Sequence, residues 1–308
     1  PSWRSTSWSD TSGGPRTDAR RTTRSRRSVR LFLPPSGYSE TMPEGDTVHA
    51  LAARLRRALD GVTLRAGRLN VPAHAVENLA GRTVVAHRTH GKHLFTDFDD
   101  DTTLHTHLRM TGSWTVVRAG RSIPRRVQPD VRVRLAAVDG PTAYGILLPV
   151  VDYGYTASMN ALVAHLGPDP LHAEFDTDRA ASNILAQGSR PIVSTLLDQR
   201  VIAGPGNLWA NELCFLRGLW PWAPSAGVDA EKLVTLLERA MRHSASTPGA
   251  MQVTTGDTRR GRTHWVAGRA GKPCLRCATV IRVEADVPND PDRRRTWWCP
   301  HCQPEPGR

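Results

Sequence analysis

Four of the five cysteines fall in two C-x-x-C pairs, Cys274/Cys277 and Cys299/Cys302, with 21 residues between the pairs. Four thiolates at this spacing satisfy one tetrahedral Zn2+ and leave no open coordination position, so the implied zinc is structural, not catalytic. Chance or redox pairing is the competing reading, and the spacing favours the metal. His301 could replace one thiolate, but Cys302 completes the pair. Paired cysteines near a chain end fit a reducing compartment better than a secreted disulfide framework. Cys214 is left over inside an apolar helical stretch. Between the pairs, Arg293-Arg294-Arg295 lead into Thr296-Trp297-Trp298-Cys299. Three consecutive arginines are usually a solvated charge run. Held at the tip of a metal-stapled hairpin, they would form a rigid phosphate clamp.

A second run able to do chemistry is Leu196-Leu197-Asp198-Gln199-Arg200-Val201-Ile202-Ala203-Gly204-Pro205-Gly206-Asn207. A helix ends near Asp198, Gly204-Pro205-Gly206 forces a tight turn, and Asn207 is placed to cap a new helix. Free N–H groups at that helix start, with the Asn amide beside them, would suit a DNA phosphate. An ordinary cap in a helical hairpin would read the same way.

Charge agrees with a polyanionic partner. The chain carries 41 basic against 29 acidic residues, a net charge of +12. Nucleic acid or an anionic membrane could balance it, and the sequence holds no apolar run long enough to span a bilayer. The lysines number three, Lys92, Lys232 and Lys272, so each is worth locating.

These residues need elements to position them. From Thr47, Val48, Leu51, Ala52, Leu55 and Leu59 recur at helical spacing, and Gly61 follows as a stop. Residues 62–157 read as short strands over 82–87, 93–97, 102–108, 113–117, 131–138 and 144–148, separated by turn residues, which suggests a β-sandwich. Helical patterning returns at 160–166, 178–187, 192–198, 207–216 and 230–243. The expected architecture is α+β and multidomain. An N-terminal β-sandwich with flanking helices (43–157) precedes a helical DNA-binding domain (158–262) and a C-terminal zinc-finger β-hairpin (263–308).

Residues 1–42 hold eight arginines among Ser, Thr, Gly and Pro and show no apolar period, so they are expected to be disordered. They resemble an organellar transit peptide in composition. The favoured reading is an upstream extension outside the active enzyme, since patterning begins directly after Met42.

The stretch from Ile192 to Asn207 resembles the helix–two-turn–helix motif of the formamidopyrimidine-DNA glycosylase/endonuclease VIII family, and the cysteine-paired end resembles its zinc finger. The resemblance extends to Met42-Pro43-Glu44-Gly45-Asp46, where the family has an N-terminal Pro-Glu after removal of Met. It also covers Thr89-His90-Gly91-Lys92-His93-Leu94, where the family has a lysine on an early β-turn. These motifs span residues 43 to 302. Read alone, Pro43-Glu44 would be an ordinary helix start.

What the resemblance implies is base excision repair of damaged double-stranded DNA by a glycosylase and AP lyase, a monomer in the bacterial cytoplasm. Pro43, as a free secondary amine, would attack C1′; Glu44 would donate a proton to the opening sugar. Lys92 and Arg294 would contact phosphates and assist elimination, and Asn207 would bind the adjacent phosphate. His107-Leu108-Arg109-Met110-Thr111-Gly112 resembles the family's wedge loop, with Met110 filling the gap left by the extruded nucleotide and Arg109 beside it. Met110 as a strand-end core residue is the plainer alternative. His165, before the Leu166-Gly167-Pro168-Asp169-Pro170 segment that resembles the family's interdomain segment, would face DNA. The Leu147–Tyr153 region lacks the Asp-Pro-Arg-Arg-Phe-Gly-like run of the formamidopyrimidine branch. That points to the endonuclease VIII side and oxidised pyrimidines, although the wedge is closer to the other branch. An internal proline cannot form a Schiff base, so the rival reading is a non-catalytic zinc-containing DNA-binding protein.

Overall fold

The structure is a computed structural model in which residues 43–249, 251–284 and 294–307 are described. The expectations for residues 1–42 and for Arg293 lie outside the described residues. Helix α1 (Gly45–Leu59) buries Val48, Leu51, Ala52, Leu55 and Leu59, as the spacing requires, and leaves Arg54 and Arg57 in solvent. It stops where Asp60 turns extended and Gly61 adopts φ +77°, a conformation suited to glycine.

The strands that follow are β1 (Leu64–Leu69), β2 (Val84–His90), β3 (His93–Phe98), β4 (Thr102–His107), β5 (Ser113–Val117), β6 (Val131–Ala137), β7 (Thr142–Ile146) and β8 (Val150–Tyr155). They form two four-stranded antiparallel sheets, ordered β1-β6-β7-β5 and β2-β3-β4-β8. Leu64, Leu94, Leu104, Trp114, Val133 and Leu135 pack with the apolar face of α1 into one core. The sandwich is therefore as expected, with two strands that apolar alternation did not reveal. β1 carries Arg65, Gly67 and Arg68, and β8 carries Asp152 and Gly154 directly after Pro149. Both are specified by their partners, β6 and β4, more than by their own composition.

Helices α2 (Thr156–Ala161), α3 (Thr177–Leu185), α4 (Ile192–Leu197), α5 (Asn207–Leu216) and α6 (Ala230–Ser246) follow. The first departs from the expected 160–166: it starts as β8 ends, and turns replace it before Gly167-Pro168. Asp176 and Asp229 cap α3 and α6 by accepting from the Arg179 and Lys232 N–H groups at 2.8 and 3.1 Å. Ile184, Ile192, Leu196, Trp209, Leu213, Leu233 and Leu237 make a second core. A two-stranded hairpin of β9 (Arg282–Glu284) and β10 (Thr296–Trp298) closes the order. No helix among the described residues is long and apolar enough to cross a membrane.

The sandwich and the helices meet backbone to backbone. The Gly45 N–H donates to the Gly204 carbonyl at 2.9 Å, and the Gly91 N–H donates to Asp169 Oδ2 at 2.8 Å. Asp169 also accepts from the Leu171 N–H at 2.8 Å, so one buried carboxylate ties the β2–β3 turn to the segment before α3. The opposite side is held by Ser244 of α6, which donates to Asp46 of α1 at 2.6 Å. A methyl group on Gly45 would stand 2.8 Å from Gly204 Cα and 3.1 Å from its oxygen, backbone atoms with no rotamer to retreat to. Gly45→Ala is therefore expected to destabilise the protein by about 1–3 kcal/mol, as a shifted urea midpoint with unchanged slope.

Candidate active site at the start of the fifth helix

An α-helix begins with N–H groups that have no partner inside the helix. In α5 an acceptor arrives from far away in sequence. Glu44 Oε2 accepts from the Gly206 N–H at 2.7 Å and the Trp209 N–H at 3.3 Å, and Oε1 accepts from Leu208 N–H at 2.8 Å. Two sequence expectations are corrected here. Gly206, not Asn207, occupies the cap position, and it makes no side-chain cap bond. The N–H groups expected to await a DNA phosphate are filled by Glu44. Gly206 is required for this: a β-carbon there would lie 2.7 Å from the Glu44 carboxyl carbon.

Glu44 is 1% exposed, and burial raises its pKa to about 7; the Lys92 charge and the helix N–H groups oppose that rise, while Asp46 adds to it. Burial likewise lowers Lys92 to about 8, against the pull of Glu44 and with the help of the Arg294 charge. The Lys92 ammonium donates to the Pro205 carbonyl at 2.8 Å, and Gln199 Nε2 donates to the same oxygen at 2.8 Å. Gln199 also accepts from the Gly204 N–H at 3.0 Å, which fixes the Gly-Pro-Gly turn from both ends. A carboxyl and an amine whose titrations are drawn toward neutrality can exchange protons with a substrate at physiological pH.

Pro43 is half-buried directly before Glu44. A pocket of about 200 Å³ opens beside Glu44 and is lined also by Asn207, Thr263, His264, Arg269 and Lys272. Behind its lining residue Ala267 stands Glu212 of α5, which holds the 265–267 backbone in place. That buried carboxylate accepts from the Trp265, Val266 and Ala267 N–H groups, each at 2.8 Å, and from the Thr254 hydroxyl. Sequence reading passed over Glu212, Gln199 and Asp169. A charged residue inside an apolar helix was the one available signal, and only for Glu212.

Arg294, half-buried just before β10, comes close enough to act on Lys92, so finger and turn meet at one site. Asn207 reaches the same strand: its Nδ2 donates to the Arg295 carbonyl at 3.1 Å. Asn211, one turn on, accepts from the Trp297 N–H at 2.7 Å and donates to the Asn207 carbonyl at 2.7 Å. Arg109 and Met110 lie apart from this group on an exposed loop; Met110 is 64% exposed, which excludes it from the core. His165 is exposed and near His93.

The ligand atoms of Cys274, Cys277, Cys299 and Cys302 all lie within 4.8 Å of one another, a set that could hold one metal ion, and His301 is not part of it. Gln303 anchors this end, accepting from the Cys299 N–H at 3.0 Å and donating to the Leu219 carbonyl at 2.9 Å. Phe215 of α5 stacks on Trp265 with centroids 5.3 Å apart, and the Arg276 guanidinium lies 4.4 Å from the Phe215 centroid.

Comparison with known proteins gives a consistent picture. Residues 42–144 match the family model of the formamidopyrimidine-DNA glycosylase N-terminal domain, and residues 166–246 match the formamidopyrimidine-DNA glycosylase H2TH domain. The chain is 42% identical over 273 residues to a probable endonuclease 8 2 of Streptomyces coelicolor, covering 86% of this chain and 97% of that protein. It is 42% identical over 266 residues to the DNA-(apurinic or apyrimidinic site) lyase Nei2 of Mycolicibacterium smegmatis, covering 85% of this chain and 99% of that protein. A crystal structure of Lactococcus lactis Fpg with abasic-site DNA shares the fold at a TM-score of 0.68 and 21% identity, over 85% of this chain and all of that one.

The tether from α5 to β10 has a measurable strength. Asn211→Ala leaves the Trp297 N–H without its acceptor and is expected to cost about 1–3 kcal/mol in urea unfolding, and Asn211→Asp, which keeps that acceptor but turns a buried carboxylate oxygen onto the Asn207 carbonyl, should cost at least as much.

Proposed function

The chain belongs to the formamidopyrimidine-DNA glycosylase/endonuclease VIII family, and from that premise and the site geometry we propose a DNA glycosylase and AP lyase of base excision repair. The observation that carries the reading is Glu44. It is buried, drawn toward neutral pKa beside a lysine, adjacent to Pro43, and open to a pocket between the helices and the finger.

In the proposed reaction the Pro43 nitrogen, once its peptide bond to Met42 is absent, is a secondary amine whose lone pair attacks C1′ of an extruded nucleotide. The C1′–base bond breaks, and the base leaves with the electron pair and takes up the proton that the proline nitrogen sheds. Glu44 gives its proton to the ring oxygen as the C1′–O4′ bond opens, which leaves a C1′ iminium. That cation acidifies the C2′ proton; its removal expels the 3′ phosphate, and a second elimination expels the 5′ phosphate. Lys92 and Arg294 balance the charge of the phosphates, and Asn207 positions the strand that carries Arg294 as well as facing the pocket. Asn207, with its phosphate contact, and Arg109, Met110 and His165 are assigned to the DNA-binding face. The family match beginning at residue 42 supports Pro43 as the mature end.

The four cysteines would hold one structural Zn2+. Their donor set is all thiolate, and the separations of 3.4 Å from Cys277 Sγ to Cys299 and Cys302 need little adjustment around a tetrahedral ion. The metal would fix the strand that brings Arg294 to Lys92. Oxidised pyrimidines are the proposed substrates, in keeping with relatives named endonuclease 8.

Borohydride should trap a covalent adduct on abasic duplex DNA with protein beginning at Pro43 and none with protein retaining residues 1–42; equal trapping by both would rule out the proline amine. The reaction needs Glu44 protonated, hence pH below about 7, and an α-amine neutral, hence pH above roughly 8. The kcat/KM profile is accordingly expected to be bell-shaped with its maximum between those values, and Glu44→Gln should remove the alkaline limb and lower base excision about 100-fold or more. Chelation of the metal should abolish DNA binding at temperatures where the sandwich still shows its native near-ultraviolet circular dichroism.

A further inference from the structure

The outer face of the second sheet carries a run of imidazoles that the reaction above does not use. Antiparallel register sets His93 opposite His107 and Phe95 opposite His105 across β3 and β4, and sets His105 opposite Asp152 on β8. Period-two alternation then puts all five side chains on one face. Asp152 Oδ2 lies 3.0 Å from His105 Nδ1, and His105 Nε2 lies 2.8 Å from His93 Nδ1. The His93 ring meets His107 edge-on with centroids 4.8 Å apart. His107 Nδ1 in turn accepts the Arg109 N–H at 3.0 Å, at a residue whose φ is +47°.

Burial lowers the pKa of all three rings, and with the rings neutral the end groups fix the protons of this series. A carboxylate can only accept, so His105 carries its proton on Nδ1 and offers Nε2 as acceptor; His93 then donates from Nδ1. At the other end a backbone N–H can only donate, so His107 must keep Nδ1 unprotonated. Each ring in the series is neutral. The charges around it agree: His93 faces His90, His105, His107 and His165, while His107 faces Arg109, Lys92 and His105, and burial with this crowding holds the two rings down to about 3 and 4. His90 is occupied elsewhere, on the Gly167 carbonyl at 3.2 Å.

We propose that Asp152, His105 and His93 are positioning residues that orient His107 and thereby hold the Arg109–Met110 loop in the conformation that enters the duplex during base extrusion. The inference rests on the function proposed above and concerns extrusion alone. Asp152 and His105 are not members of the Pro43, Glu44 and Lys92 group. Loss of the Asp152 acceptor lets His105 change tautomer, which costs the bond to His93 and frees the ring that braces His107. The left-handed Arg109 backbone is then without the acceptor that keeps it there.

The test compares two substrates. A duplex with an oxidised pyrimidine, and 2-aminopurine as its opposing base, needs extrusion and reports it by fluorescence. A single-stranded abasic oligonucleotide needs none, and borohydride adduct formation on it reports the amine chemistry. In protein beginning at Pro43, Asp152→Ala and His105→Phe (which keeps a ring stacked on Phe95) are expected to slow excision from duplex about tenfold and to reduce the 2-aminopurine response, with adduct formation on the single strand unchanged. Asp152→Asn, which keeps an oxygen acceptor, should restore duplex excision. Equal losses on both substrates, no loss on the duplex, or failure of Asp152→Asn to outperform Asp152→Ala would overturn the relay. Absence of an adduct on either DNA with unsubstituted protein would instead remove the underlying function, and the relay with it.

Discussion

A single carboxylate, that of Glu44, joins the entry into α1 to the start of a helix more than 160 residues later. Its three N–H partners belong to a helix end that must find acceptors once buried, and no nearby side chain supplies them. Burying a charge in this way is costly unless it is fully hydrogen-bonded and matched by opposite potential. The helix end provides both, and Lys92 adds an opposite charge. The residual cost of burial appears as a raised pKa, which a proton donor requires. Structural demand and the proposed chemical use therefore coincide in one group.

That arrangement tolerates no slack, and the surrounding backbone shows why. Gly45 rests on Gly204, Gly91 bonds to Asp169, and Gly206 yields its β-carbon space to the Glu44 carboxyl. Side chains at these positions would push the sandwich from the helices by a methyl group, enough to lose bonds of 2.7 to 2.9 Å. Pro43, whose nitrogen is the proposed nucleophile, is held by its neighbour on this rigid junction rather than on a free tail.

Helix α5 distributes the rest. Within six residues it presents backbone N–H groups to Glu44, the Asn207 and Asn211 amides to the strand bearing Arg295 and Trp297, and the Glu212 carboxylate to the 265–267 segment. Sandwich, finger and pocket wall thus share one rod as a common reference. Polar residues buried inside an apolar helix would destabilise it alone; each here is satisfied by a different part of the chain.

Local sequence determined much of this. Helical periodicity located α1 and α3 to α6, alternation located most strands, and C-x-x-C spacing picked out the four cysteines that cluster, because each signal depends on residues close in the chain. β1 and β8 escaped since their stability comes from partners, and α2 was displaced since a strand ends where it begins. The Gly-Pro-Gly turn was legible as an anion-binding helix start, yet its anion proved to be the protein's own. Only the tertiary structure could decide that, and only it could align Asp152, His105, His93 and His107, because charge, hydrogen bonding and burial at a site depend on which distant segments meet there.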